Sequence, residues 1–129
     1  MGVYIFDTVS NWIKVGHFKA TRSKPNAYYR IAGQGFYKLK HPSELDDLLG
    51  VQHLTLLAWY PTLGVDMERR IHRECPERVG EFHPKHRLAA ILETCDALGE
   101  RQQVTECQKH RALQWGWRKA RRARKRRGE

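Results

Sequence analysis

The C-terminal segment carries the densest run of charged side chains in the sequence. Residues 118–127 contain eight lysine or arginine residues and no acidic residue. They are Arg118, Lys119, Arg121, Arg122, Arg124, Lys125, Arg126 and Arg127. Such cations bind phosphate oxygens, and a nucleic acid bound in this way releases its counterions. We therefore expect a polyanion as the partner, either nucleic acid or an anionic membrane, with affinity that falls steeply with salt.

Two tryptophans precede this basic run. Trp115 and Trp117 could stack on bases or anchor the run to the rest of the protein. We expect anchoring, because large aromatic side chains usually serve packing. In a eukaryotic cell the run could also act as a nuclear localisation signal. A membrane-surface role ranks last, since no clear amphipathic apolar face accompanies the charges.

A second group of residues with ligand chemistry lies between positions 72 and 86. His72 and Cys75 are spaced like zinc ligands, and so are His83 and His86. Against zinc, Cys75 also completes an apolar repeat at four-residue steps, and His86 begins a helix of its own. A structural zinc site is therefore the less favoured interpretation of this spacing.

Length and composition predict one compact domain with an appended tail. The chain has 129 residues, 40% of them hydrophobic, which excludes a disordered protein. Of the formal net charge of +10, residues 118–129 contribute +7 and the remainder +3. The three cysteines match no disulfide framework, so we expect an intracellular location: cytoplasm or nucleoid, or the nucleus in a eukaryote. The longest apolar run, Leu54–Tyr60, is too short to span a membrane.

Alternation of residue types predicts two paired strands at the N-terminus. Gly2–Asp7 and Trp12–Gly16 are rich in β-branched and aromatic residues. Side chains alternate between the two faces of a strand, so one face collects only β-branched aliphatic residues and should meet the core. These residues are Val3, Ile5, Ile13 and Val15. The opposite face carries Tyr4, Phe6, Trp12 and Lys14, and this arrangement predicts that Tyr4 pairs with Lys14.

The remaining elements complete an α/β (α+β) fold. Val51–Tyr60 predicts a third strand, so we expect a small three-stranded, mainly antiparallel sheet flanked by helices. Helices are predicted over 26–32 (ended by Gly33 and Gly35), 43–49, 66–75 and 84–98, with a last helix or tail over 101–127. Residues 1–98 would form the compact domain and 99–129 the C-terminal helix and basic tail.

Four features with polar chemistry follow one another along the compact part. Gly2-Val3-Tyr4 lies in the first strand and Lys14-Val15-Gly16 in the second. Arg30 lies on the next helix, and Glu68 lies on a helix after the third strand, followed by Gly80-Glu81-Phe82. Each motif is weak alone, but their order and spacing are moderately specific. This order resembles the GIY-YIG nuclease superfamily, in particular its phage and viral KIG-variant branch, over roughly residues 1–98.

The resemblance implies a hydrolase, an endonuclease that cuts phosphodiester bonds with one divalent metal ion. Glu68 would bind Mg²⁺ or Mn²⁺, and Arg30 would bind the phosphate oxygens. Tyr4 would be the general base, with Lys14 favouring its phenolate, and His17 is another proton carrier or phosphate contact. DNA is expected as the substrate rather than RNA, and oligomeric state is left open.

One departure from the family pattern keeps an alternative open. Lys14 stands where the second signature tyrosine is expected, so a nucleic-acid-binding module without catalytic turnover is the runner-up. Tyr28 and Tyr29 are possible substitutes for that tyrosine, and Glu81 is a second, weaker acid candidate. Taken alone, Tyr4 would be interpreted as a half-buried strand aromatic.

Overall fold

A four-stranded antiparallel sheet is the centre of the fold. The computed structural model describes residues 1–8, 11–36 and 54–128. Strands β1 (Gly2–Asp7), β2 (Trp12–Phe18), β3 (Thr55–Tyr60) and β4 (Phe82–Pro84) lie in the order β3-β1-β2-β4. Every neighbouring pair is antiparallel. The mixed α+β class is confirmed, and β4 corrects the expected count of three strands.

The fourth strand begins at the end of residues 77–82, a segment expected to be a loop or a short extended piece. Phe82 and His83 are buried, and β4 pairs with the start of β2, placing His83 opposite Ile13. Pro84 ends this strand rather than opening a helix. Proline lacks a backbone N–H and is tolerated on an edge strand, which is the position of β4. The burial of Phe82 and His83 therefore stabilises a strand that is too short to be predicted from its residue types.

The register of β1 and β2 differs from the expected one by two residues. Tyr4 pairs with Gly16, and Lys14 pairs with Phe6, so the predicted pairing of Tyr4 with Lys14 is wrong. A shift of two residues leaves every side chain on its original face, because the side-chain period of a strand is two. The predicted division into faces is consequently confirmed.

Both faces of the sheet are covered. The aliphatic face of β1 and β2 packs against two helices, α2 (Val65–Arg73) and α3 (Leu88–Leu98). On the other face, Tyr4, Phe6 and Trp59 form a second cluster with Ala27 and Val104. The Glu68-bearing helix, α2, thus lies against β1 and β2, the strands that carry Tyr4 and His17.

Helix α1 (Tyr28–Phe36) continues through two glycines that were expected to end it. Its first turn is capped by Asn26, whose Oδ1 accepts a hydrogen bond of 3.0 Å from the Tyr28 amide. A glycine inside a helix costs about 1 kcal/mol relative to alanine. Packing against the C-terminal helix, α4 (Glu106–Arg126), compensates, because Tyr29 and Ala32 are buried with Ala112 at the α1–α4 contact.

The other helices lie close to their predicted positions. α2 begins one residue before and ends two residues before the predicted 66–75. A short 3-10 turn, Lys85–Arg87, precedes α3, and α3 ends before Gly99 as expected. The helix predicted over 43–49 and residues 51–53 of the third predicted strand lie outside the described residues.

Candidate active site

Tyr4 is held by the glycine opposite it in the sheet. A methyl group added to Gly16 would overlap the Tyr4 ring and hydroxyl, so the ring lies directly across the Gly16 backbone. On its other side the ring stacks on Phe6, with centroids 4.1 Å apart and planes at 22°. Tyr4 is only 2% exposed. The absence of a side chain at position 16 therefore determines where the Tyr4 hydroxyl lies.

Glu68 is a buried carboxylate with hydrogen bonds at both oxygens. It lies on α2 and is 5% exposed. His17 Nδ1 donates to its Oε2, and His72 Nε2 donates to its Oε1 over 3.2 Å. A buried carboxylate needs such donors, because an unpaired charge in the interior is costly. Glu68 therefore joins β2 to α2 at the edge of the aliphatic core.

The hydrogen-bond chain continues to a histidine in β4. His72 Nδ1 lies 2.8 Å from His83 Nε2, and the two rings are inclined at 23°. Burial, followed by the charges of His72, Arg78 and Arg87, lowers the pKa of His83 to about 4. His83 is therefore neutral at pH 7.

His72 and His83 share one hydrogen bond between Nδ1 and Nε2, and the tautomers of the two rings determine which of them donates. Within the described part of the chain, His83 Nδ1 is buried without a hydrogen-bond partner. The chain runs from the fully buried His83 to His17, whose side chain is 40% exposed.

Arg30 and two carboxylates act on the Tyr4 hydroxyl. Burial raises the pKa of Tyr4 to about 12, the charges of Glu81 and Glu68 add to the rise, and Arg30 opposes it through charge and a hydrogen bond. Arg30 is exposed, and its guanidinium carbon lies 5.9 Å from the centre of the Phe18 ring. Arg30, Glu68 and Glu81 are therefore each close enough to act on the Tyr4 hydroxyl, although they come from three other segments.

Lys14 is not paired with Tyr4, the neighbour that the sequence predicted for it. It lies opposite Phe6, diagonal to Tyr4, and its Nζ is 3.7 Å from Glu81 Oε2. The expected role of Lys14, to favour the phenolate of Tyr4 from the paired position, is therefore not supported by the register. Lys14 instead offsets the charge of Glu81, one of the two carboxylates that raise the pKa of Tyr4.

The two tyrosines considered as substitutes pack elsewhere. Tyr29 is buried between α1 and α4, and its ring centroid lies 5.4 Å from that of Trp115. Tyr28 packs at the edge of the cluster that contains Trp59, with Lys109 Nζ 5.8 Å from its ring centre. Both rings are therefore committed to packing.

The residues that are spaced like zinc ligands do not form a zinc site in the described part of the chain. Over residues 1–8, 11–36 and 54–128, no group of three or more His, Cys, Asp and Glu side chains could hold a metal ion. His86 Nε2 lies 3.3 Å from Glu77 Oε2, whereas His72 and His83 contact each other. Any ion bound by Glu68 would therefore have at most two ligands from the described side chains.

The basic run is part of a continuous helix. α4 extends from Glu106 to Arg126, and Trp115 packs against Tyr29, so the predicted anchoring is confirmed for Trp115. It is wrong for Trp117, which is 47% exposed, with the Arg121 guanidinium carbon 5.5 Å from its ring centre.

The family resemblance singled out His17, Arg30 and Glu68 but gave His83 no part in this cluster. The one local signal was the four-residue spacing of Glu68 and His72 on one helix face. His83 joins the cluster through β4, which was not predicted as a strand of the sheet. Its role is thus visible only once strand pairing is known.

No protein-family model, curated protein or solved structure matches this chain. Within the described part of the chain, none of the helices combines the length and apolar character needed to cross a membrane.

Proposed function

We propose that this protein is a divalent-metal-dependent endonuclease that hydrolyses phosphodiester bonds in DNA, with a GIY-YIG-like domain over residues 1–98. The observation that carries the proposal is that Arg30 and Glu68 both act on the charge of the Tyr4 hydroxyl, while His17 is hydrogen-bonded to Glu68. These residues come from β1, β2, α1 and α2, so the fold gathers a phenol, an imidazole, a guanidinium and a carboxylate. The basic helix α4 supports a nucleic acid as the substrate.

Phosphodiester hydrolysis requires an activated water and neutralisation of charge on the phosphate. Arg30 supplies a planar, permanently charged fork that matches two phosphate oxygens, a geometry that lysine reproduces poorly. Its exposure leaves the guanidinium accessible to a substrate, and its position beside Tyr4 directs that substrate toward the cluster. Arg30 is therefore assigned to the phosphate.

His17 is the better general base of the two candidates. Its Nδ1–H is donated to Glu68, so the neutral ring carries a lone pair on Nε2 that can accept a proton from water. Tyr4, with its pKa raised to about 12, keeps its proton at neutral pH. Tyr4 then acts as a hydrogen-bond donor that orients the water or a phosphate oxygen, and Glu68 holds the His17 ring in place.

Glu68 and Glu81 fit a hard divalent cation. Mg²⁺ and Mn²⁺ prefer carboxylate oxygens, and Mg²⁺ is usually bound through one or two carboxylates together with water and substrate phosphates. Each Glu68 oxygen that accepts a histidine N–H retains another lone pair, and Glu81 acts on the same tyrosine hydroxyl. Such an ion would supply neutralisation of the phosphate and leaving-group charge.

A second candidate is a nucleic-acid-binding module that has this fold without turnover. The observations that favour it are the raised pKa of Tyr4 and the pairing of Lys14 with Glu81 rather than with Tyr4. Both leave the phenol without the activation that the family resemblance implies.

A cleavage assay separates the two candidates. Supercoiled plasmid and structured RNA would be incubated with the protein in Mg²⁺, in Mn²⁺ and in a chelator. The enzyme proposal predicts nicking of plasmid that requires the divalent ion and falls on Arg30→Lys, with Arg69→Lys, an exposed residue of α2, as the matched control. Binding of the plasmid without cleavage under all three conditions would support the module instead.

A further inference from the structure

A groove separates α4 from the segment that leads into α1. Its volume is about 590 Å³, and six of its ten lining residues are cationic. They are Lys24, Arg111, Arg118, Lys119, Arg122 and Arg126. The described lining includes no acidic side chain. A concave surface lined by charges of one sign concentrates the opposite charge, so the groove suits an anion.

The groove is built by packing rather than by a solitary charged helix. Trp115 forms part of its wall and is fixed by the contact with Tyr29 across the α1–α4 boundary. Lys24 is held by a local turn, in which its amide donates to Thr21 Oγ1 over 3.1 Å and its carbonyl accepts from the Thr21 amide over 2.9 Å. One wall is therefore positioned independently of the basic run itself.

The cations on α4 lie along one face of the helix. Arg111, Arg118, Arg122 and Arg126 are separated by seven, four and four residues, spacings that return to the same face of a helix. Fifteen residues of helix from Arg111 to Arg126 span about 22 Å. This length corresponds to roughly six steps of a nucleic-acid strand. The groove therefore presents a track of charges rather than a pocket for one small anion.

Trp115 is not free to stack on a base. Lys24 Nζ lies 5.5 Å and Lys119 Nζ 4.9 Å from the centre of its ring, and Tyr29 packs against its edge. A base would have to displace these cation–π contacts. The chemistry of the groove consequently favours phosphates, which carry no base identity.

We infer that this groove binds the sugar-phosphate backbone of duplex DNA, independently of sequence, as a site separate from the Tyr4–Glu68 cluster. The inference rests on the proposed function for its substrate class. Tyr29 and Arg30 are consecutive residues of α1, of which Tyr29 lines the groove and Arg30 acts on Tyr4. The groove and the cluster therefore lie on neighbouring faces of one helix, and a bound backbone is directed to the cluster.

Fluorescence anisotropy with a labelled duplex of about 20 base pairs tests this inference in chelator, where metal-dependent cleavage does not interfere. The groove pair Lys24→Gln/Arg122→Gln is compared with Arg121→Gln/Lys125→Gln, which removes the same charge from positions of α4 that do not line the groove. We expect the groove pair to weaken binding by about tenfold or more and to reduce the salt slope by about two. The control pair should weaken binding about threefold or less.

Three outcomes would contradict the inference that this groove binds duplex DNA. If the two double variants lost DNA affinity equally, the charges of α4 would act together without a defined groove. If the groove pair lost no affinity, another surface would bind DNA. Binding to phosphatidylserine vesicles but not to duplex would replace DNA by a lipid surface. Failure of the nuclease proposal can be distinguished from failure of the groove inference. A protein that never cleaves DNA would still bind duplex with an affinity that depends on the groove residues.

Discussion

Gly16 provides a direct test of the position of Tyr4. In Gly16→Ala the new Cβ would lie 2.5 Å from Tyr4 Cζ, whereas ordinary contacts of a Cβ begin near 3.4 Å. The ring must therefore retreat by about 1 Å, but it is almost fully buried and already stacks on Phe6. Overpacking of this kind costs about 1–3 kcal/mol. A misplacement of about 1 Å in a catalytic group can also reduce activity by about 100-fold.

Urea denaturation and plasmid nicking measure these two consequences in the same variant. Gly64→Ala is the matched control, because a Cβ there meets no atom within 4 Å and its φ of −95° suits alanine. The control should lose less than about 1 kcal/mol, which is the loss expected at a helix N-cap. If Gly16→Ala retained both the stability and the activity of the control, the ring of Tyr4 would not lie across Gly16.

The histidine chain and helix α1 give two further predictions. His83 resists protonation down to a pKa of about 4, whereas the unfolded chain binds that proton near 6.5, so stability is complete above pH 6.5 and falls as the pH decreases toward 4. The full difference is about 3 kcal/mol. Urea unfolding at about pH 7 and pH 4.5 should show most of it in the wild type, the same amount in the control His86→Ala, and less in His83→Phe. Wild-type stability independent of pH in this range would contradict the buried neutral His83. Gly33→Ala should raise the unfolding free energy by about 0.5–1 kcal/mol, because the added methyl meets Trp115 at an ordinary 3.6 Å inside a helix; destabilisation would mean that α1 does not continue through Gly33.

Local alternation was sufficient to predict the faces of β1 and β2, because one aliphatic face must be buried whatever the pairing. It could not determine the register, since shifts of two residues preserve the same faces and differ only in what lies opposite Tyr4. The choice of Gly16 over Lys14 depends on the space that the Tyr4 ring needs, which is a property of the folded sheet.

The family resemblance predicted more of the candidate site than of its internal contacts. It implied Arg30 for a phosphate and Glu68 for a metal ion, and both residues act on the charge of Tyr4. The pairing of Glu68 with His72 follows from their four-residue spacing on one helix. The contact of Glu68 with His17 and the place of Lys24 in the groove were not predicted, because they join segments far apart in the chain.

The most direct test of the central claim is the nicking rate of Glu68→Gln in Mn²⁺, with binding of duplex DNA measured on the same samples. Glu74→Gln, an exposed residue that pairs with Arg70 at the end of the same helix, is the matched control. We predict that Glu68→Gln reduces nicking by about 100-fold or more while binding is retained, and that Glu74→Gln cuts at the wild-type rate. Wild-type nicking by Glu68→Gln, or a wild-type protein that binds DNA and never cuts it, would contradict the assignment of this cluster as a nuclease active site.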